Sequence, residues 1–551
     1  MSARVDNPGH PGQAVIAVPS LPRLSAAINP KLAVYIGTLG VFFGAGTATL
    51  SARLVSIGLP DLRGALGLGV DEAAWIPTAY DMGLMFMGPF SVYLGGFLGV
   101  RRVLLAAASV FILVSLLLPF SPNLGVMLGL QTVSGLSSGT FYPLTLTYAL
   151  RSLPLRYTVY GIGVYAMDII GALNIGMPLE AWYIEHGSWH WIFWHSALVT
   201  PLMMACIYLA IPNPPPRPGP KPQVSWAGFL YASVGFSLIY GALEQGDRLD
   251  WLNSGVFAGM VITGLFLIGT ALIRRWLSPN PMVRLSFLLN RNTLILGAGL
   301  FSFRFVLLAI VLLIPAYLAA IQGYRPLETG PVLLWGALPI MVMGLVAAQL
   351  MRWVDGRIIF ATGFATVALA CHLNAELTSA WAGENFWWPQ LVIAVGLSFT
   401  FVGLVGMIAQ QALTTGALSR PFDVLTYSAY FHTIRLFGGE VGTAVMQRLV
   451  SVRERFHSNM IGLHVQAGDW LTDERLRMLS GGLFPNSSGL DESHQRAVVQ
   501  LAGQVKKQAY TLAYIDGFMM IAYVCAGMII LIACMKAMKI HFDSSSMEPP
   551  R

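Results

Sequence analysis

The feature that most constrains this chain is the recurrence of long, uninterrupted apolar runs from about residue 32 to residue 535. A helix needs about 20 apolar residues to cross a bilayer, whereas barrel strands alternate apolar and polar positions. The runs are continuous, so they read as about fourteen transmembrane helices, an all-α integral membrane protein. Composition agrees with this reading. Only 11% of the 551 residues are charged, against roughly 25% in a soluble domain. Too few polar groups exist to build a hydrated surface, which excludes a soluble enzyme, a nucleic-acid-binding domain and a disordered scaffold. Cys206, Cys371, Cys525 and Cys534 fall in apolar runs without metal-ligand spacing and read as buried small hydrophobes. No metal or cofactor is implied, and no Walker-type phosphate loop is present.

Basic residues in short loops set orientation. One set of alternate loops carries Arg101, Arg102, Arg151, Arg156, Arg217, Lys221, Arg274, Arg275, Arg284, Arg291, Arg352, Arg357 and Arg420, while the opposite set holds only Arg63, Arg248 and Arg325. Both termini are therefore expected in the cytoplasm. Residues 1–30 read as a polar cytoplasmic tail, 212–224 (with the run PNPPPRPGPKP) as a stiff cytoplasmic linker, and 536–551 as a second tail. The segment 451–510 is the one long connection, and it falls outside. It mixes charges with apolar residues at helical spacing (Arg453, Phe456, Met460; Leu471, Leu476, Leu479), which predicts short amphipathic helices docked on a partner.

Several short stretches are distinctive. Trp75-Ile-Pro-Thr-Ala-Tyr80 with Pro89, Leu59-Pro-Asp-Leu62, Ser188-Trp-His-Trp-Ile-Phe193, Ala242-Leu-Glu-Gln-Gly246 with Trp251, and Arg435-Leu-Phe-Gly-Gly-Glu-Val-Gly442 occur in this order. They resemble the signatures of the fourteen-span drug:proton antiporters of the major facilitator superfamily, over nearly the whole chain. Arg453-Glu-Arg-Phe-His457 is similar to the opening of the long external loop of EmrB-type multidrug efflux transporters. The resemblance implies two six-helix bundles (31–211 and 292–535) and an inserted helix pair (225–276). It implies a proton-driven efflux transporter of amphipathic or aromatic compounds in the bacterial inner membrane. It also implies a tripartite pump, in which loop 451–510 meets an EmrA-like periplasmic adaptor of the membrane-fusion class and, through it, an outer-membrane channel. Alternating access by rocking of two bundles is the general physics of such folds.

The chain departs from that pattern at informative places. In Val92-Tyr-Leu-Gly-Gly-Phe-Leu-Gly-Val-Arg-Arg102, Gly96 and Phe97 stand where the family has an acid and a base, so the usual charge latch of the cytoplasmic gate cannot form. Met351-Arg-Trp-Val-Asp-Gly-Arg357 keeps its charges. Gln131 replaces the span-four Arg, and Ser51 replaces the span-one Asp.

Ionisable groups inside spans are functional hypotheses by default. Arg53, Asp81, Asp168 and Glu180 are the proton-coupling candidates. At 1.5 Å per residue Arg53 and Asp81 lie about 9 Å inside adjacent helices, so Arg53 is expected to pair with one or more of these carboxylates. A proton and a substrate would then compete for one polar site, although a static helix–helix tie fits the same spacing. Gln131, Arg304, Arg435, His432, Glu440, Tyr142 and Trp335 are substrate-site candidates, and each also has a packing or local-network reading. Arg53 and Arg304, in opposite halves, would suit a carboxylate substrate, which makes a dedicated aromatic- or fatty-acid exporter the alternative function. His186, His190 and His195 match no ligand template and read as part of an interfacial aromatic belt. An integral-membrane enzyme is a third class, for which the polar residues are too scattered.

Overall fold

The computed structural model describes residues 30–152, 155–211, 226–277, 288–417 and 421–537. The linker expected over 212–224, and all but residues 30, 536 and 537 of the tails expected over 1–30 and 536–551, lie outside the described residues. Among the described residues all regular structure is helical. Among the described residues ten helices are long and apolar enough to cross a membrane by length and composition.

The N-terminal half comprises α1 (Pro30–Ile57), the short α2 (Leu59–Leu66) and α3 (Val70–Ala73), α4 (Trp75–Leu98), α5 (Val100–Leu117), α6 (Leu124–Ser138), α7 (Phe141–Ser152), α8 (Leu155–His186) and α9 (Trp191–Ala210). Next come α10 (Trp226–Gln245) and α11 (Gly255–Leu277), which pack on each other. The C-terminal half holds α12 (Arg291–Tyr317), α13 (Pro326–Leu350), α14 (Gly356–Asn374), α15 (Trp387–Thr414), α16 (Pro421–Gly462), α17 (Trp470–Leu483) and α18 (Leu490–Ala533). α1 packs on α7, α8 and α9, α4 on α6, and α12 on α15, α16 and α18. The halves meet where α8 lies against α13 and α15, and where α4 and α7 lie against α16. α10 joins this second seam, touching both α4 and α16. The most apolar window of α15 is 78% buried and that of α11 only 11%, so α15 is central and α11 faces the surroundings.

Lipid offers no hydrophobic drive for one helix to meet another, so close backbone approach carries the packing. A side chain on Gly135 of α6 would run into the Tyr80 carbonyl of α4. One on Gly438 or Gly442 of α16 would strike the backbone of Phe301 or Phe305 on α12. The glycine motif at the end of the chain thus seats α16 on α12.

Sequence reading took 124–150 as one span, and the structure breaks it at Gly139–Thr140. Pro143 has no N–H to continue the ladder back to residue 139, and its ring crowds that carbonyl. The Ser137 and Thr140 hydroxyls turn back onto Val133 O and Ser137 O, at 2.8 and 2.9 Å. The break delivers Tyr142 into the interior. The segment 451–510 also differs from expectation. It is mostly a continuation of α16 and α18, helices of 42 and 44 residues, about 65 Å each, or twice a hydrocarbon core. Arg453 Nε donates to Asp516 Oδ2 at 2.5 Å and His457 Nε2 meets the same oxygen at 2.7 Å, clasping the two extensions. Of the cysteines, Cys371 and Cys525 are buried, but Cys206 is half-buried and Cys534 exposed because it lies past the last turn of α18.

Candidate substrate and proton sites

Two polar groups form where the halves meet. The first is cationic and aromatic. The Arg435 guanidinium lies over the Tyr142 ring, 4.1 Å from its centroid. His432, one turn earlier on α16, stacks on the same ring at 5.0 Å. Tyr142 continues to Tyr165 of α8 at 5.6 Å, Tyr165 to Phe401 of α15 at 6.3 Å, and Phe401 to Phe303 of α12 at 4.7 Å. Arg304 follows Phe303 in sequence and lies within electrostatic range of Arg435, Tyr142 and Tyr240. Arg304 and Arg435 are each 5% exposed. An arginine at the bilayer centre costs about 2.5–3.5 kcal/mol on insertion scales. Among the described residues neither arginine forms an ion pair that would offset this cost. Among the described residues Arg304 Nε and Nη1, Arg435 Nε and the Tyr165 hydroxyl have no hydrogen-bond partner, while the His432 ring faces the Leu84 backbone.

The second group is acidic. Glu244 on α10 interacts electrostatically with Asp81 on α4 and Glu440 on α16, and Glu440 interacts with Asp81. The register that brings them together is fixed by hydrogen bonds. Ser237 Oγ donates to Met82 O at 2.6 Å, and Gln245 Nε2 donates to Ala74 O at 2.9 Å and Thr78 Oγ1 at 2.5 Å. Tyr240, one turn before Glu244, turns its hydroxyl to Glu440. Beyond this group α10 ends in ion pairs, Arg448–Asp247 at 3.6 Å and Arg248–Asp71 at 2.9 Å.

The remaining candidates are placed as follows. Asp168 is buried against α1, facing Gly46, with Oδ2 unpartnered; it lies one turn from Tyr165 on α8. Glu180 faces Gly58 and interacts with Asp61. Arg53 packs against Gly176, with Nε unpartnered. Among the described residues no ion pair joins Arg53 to Asp81, Asp168 or Glu180, so the pairing expected from helix depth is not made in this conformation. Depth fixes level, not azimuth: Asp81 turns toward α10 and α16. The arginine in electrostatic range of Arg304 is Arg435. Gln131 is 1% exposed on α6, with Nε2 unpartnered. Trp335 is 47% exposed, against Trp387 at 4.8 Å, and is separate from the aromatic ladder. His186 and His190 stack on Trp182 and Trp189, whereas His195 is buried beside Ser196 and Ser51.

Sequence reasoning missed Glu244, Tyr240, Phe303 and Phe401. Tyr240 and Glu244 at i and i+4 in an apolar span were a usable signal. Phe303 and Phe401 gave none, being apolar residues in apolar helices.

Comparison with known proteins gives a consistent picture. A model described as the Major Facilitator Superfamily matches residues 41–443. The fatty acid resistance protein FarB of Neisseria gonorrhoeae is 24% identical, over 78% of this chain and 83% of its own. The colistin resistance protein EmrB of Acinetobacter baumannii is 23% identical, over 88% of this chain and 93% of its own. Among solved structures, the proton:xylose symporter XylE is similar in fold, with a TM-score of 0.52 at 10% identity over 90% of this chain and 95% of its own.

Proposed function

The chain belongs to the Major Facilitator Superfamily, and from that membership we propose that it is a proton-driven efflux transporter of amphipathic compounds in a bacterial inner membrane. In this reading it has fourteen spans with both termini cytoplasmic: a bundle over 31–211, an inserted pair over 225–276 and a second bundle over 292–535. It moves its substrate through the seam between the bundles. The observation that carries the reading is the juxtaposition at that seam of an aromatic cluster and buried carboxylates without cationic partners. The resistance proteins FarB and EmrB, similar over most of the chain, support export as the direction.

Proton coupling falls to Asp168, beside the ladder, and to the Asp81–Glu244–Glu440 group. Carboxylates in range of one another titrate as a unit, so their charge changes with the proton supply on whichever side they face. Substrate in the adjoining cluster and protons in this group then bias the same two conformations. In cells preloaded with an amphipathic dye, the protein should drive efflux that an uncoupler abolishes. Asp168→Asn and Glu440→Gln should each lose uphill efflux but keep downhill exchange. Uphill efflux persisting at the wild-type rate in both variants would refute this assignment.

The same reading gives the helical extensions to an EmrA-like adaptor that leads to an outer-membrane channel. Val452, Phe456, Met460 and Leu463 form a stripe along the α16 extension, between 44% and 59% exposed. Apolar residues at that spacing in water gain nothing unless a partner covers them. Replacing residues 458–505 by a Gly/Ser linker should leave liposome transport intact and eliminate co-purification with the adaptor. Retained co-purification would make the extensions a cover for the transporter's own mouth.

A further inference from the structure

We infer that Arg304 and Arg435 form the receptor for the carboxylate of an amphipathic organic anion, whose apolar body lies on the ladder Tyr142–Tyr165–Phe401–Phe303. The inference rests on the efflux reading only for the direction of movement.

Two guanidinium groups, each 95% or more removed from solvent, lie in electrostatic range of each other, and among the described residues no carboxylate forms an ion pair with either. Their nearest acids point elsewhere. Glu440 lies five residues after Arg435, about 140° round the helix, and turns to Tyr240, Asp81 and Glu244. Asp168 faces α1. Glu180 faces the far end of α1 and Asp61. Uncompensated buried charge is expensive, and it is retained where a ligand supplies the counter-charge.

Hydrogen-bonding chemistry narrows the ligand. The unpartnered atoms are two donors on Arg304, one on Arg435 and the Tyr165 hydroxyl, with the His432 imidazole beside them. Guanidinium donors match the two oxygens of a carboxylate, and they offer nothing to a cationic head group. Tyr142 fixes the Arg435 plane from below at 4.1 Å, which preorganises its free edge. Beyond the charged end the side chains are aromatic, with Phe303 and Phe401 stacked on each other at 6° and both fully buried in this conformation. An apolar or planar ring matches this aromatic stack in chemistry and meets it as the halves part. The receptor also straddles the halves: Tyr142 and Tyr165 belong to the first, Arg304, Arg435, Phe303 and Phe401 to the second. A bound anion therefore ties the two together and is released when they separate.

The test uses three compounds with one ring system: 2-naphthoate, its methyl ester and 2-naphthylmethylammonium. Binding to the purified full-length protein in lipid nanodiscs is followed by naphthyl fluorescence. The acid should bind at least about tenfold more tightly than the ester, the loss typical of one charged hydrogen-bonding partner, and the ammonium should bind least. Arg304→Gln and Arg435→Gln should each remove that preference while leaving the ester unchanged, and Arg435→Lys should restore part of it. Tyr142→Leu should weaken acid and ester alike. Equal affinity of acid and ester in the wild-type protein, or preference for the ammonium, would overturn the inference without any variant. A separate proteoliposome assay distinguishes the two readings. If the acid binds but no compound is exported under a pH gradient, the efflux reading fails and the anion receptor stands. If a cationic dye is exported while the acid does not bind, the reverse holds.

Discussion

Arg435 shows how much one residue's surroundings decide. Its charge and its place in a glycine-rich motif are plain in the sequence, but its partner Tyr142 is nearly three hundred positions away. Only the break between α6 and α7 brings that ring beneath it. The contact has a measurable worth. A partly desolvated cation–π pair contributes about 1 kcal/mol, so Tyr142→Phe, which keeps the ring, should change substrate affinity little. Tyr142→Leu should weaken it by about fivefold. Titration calorimetry of the two variants decides between a ring that holds the guanidinium and one that merely fills space. The acidic group behaves differently. Because Asp81, Glu244 and Glu440 face one another, replacing Glu244 by Gln should alter the pH at which transport is half-maximal, whereas an isolated surface glutamate would leave it unmoved. A pH profile identical to wild type would remove Glu244 from the group.

Among the elements, α4 and α16 are the pair that the sequence most nearly explained. The missing charges at Gly96 and Phe97 were legible, and with them the expectation that the usual charge latch cannot form from these residues. What replaces it was not legible. A side chain on Gly96 would collide with the Phe422 ring of α16, and one on Gly95 would strike Leu144 of α7 and crowd Leu425 of α16. The two helices therefore close by seating apolar knobs in a glycine notch, a contact between elements over three hundred residues apart. Gly96→Leu should hold this end of the seam open and lower uphill transport by about tenfold or more, since overpacking costs about 1–3 kcal/mol. Gly96→Ala should be milder. Accessibility of a cysteine placed at Ala429 to a soluble thiol reagent would report the opening, and unchanged labelling in Gly96→Leu would dismiss the notch as a latch. The same limit explains the extensions. Helical periodicity in 451–510 was visible, yet whether those turns would stand alone or continue α16 and α18 depended on the Arg453–Asp516–His457 clasp. Hydropathy marks the apolar spans because lipid tests every residue. Side-chain azimuth is set by helix–helix packing, which is why Asp81 could be placed at a depth but not on a face.

For the whole molecule, the two sites make a statement about energy. A monoanion leaving while one proton enters moves two positive charges inward, so the membrane potential and the proton gradient act together. Each charge crossing 100 mV is worth about 2.3 kcal/mol. A cation leaving in exchange for one proton is electroneutral and would ignore the potential. The most direct test is therefore made in proteoliposomes with a pH dye in the compartment that receives protons. With the substrate loaded on the side from which it is exported and no other ion gradient, adding 2-naphthoate should release a substrate-dependent proton flux of opposite direction. An imposed potential, negative on the substrate-loaded side, should accelerate that flux, and Glu440→Gln and Arg435→Gln should each abolish it. Substrate movement with no accompanying proton movement, at any potential, would contradict the account at its centre.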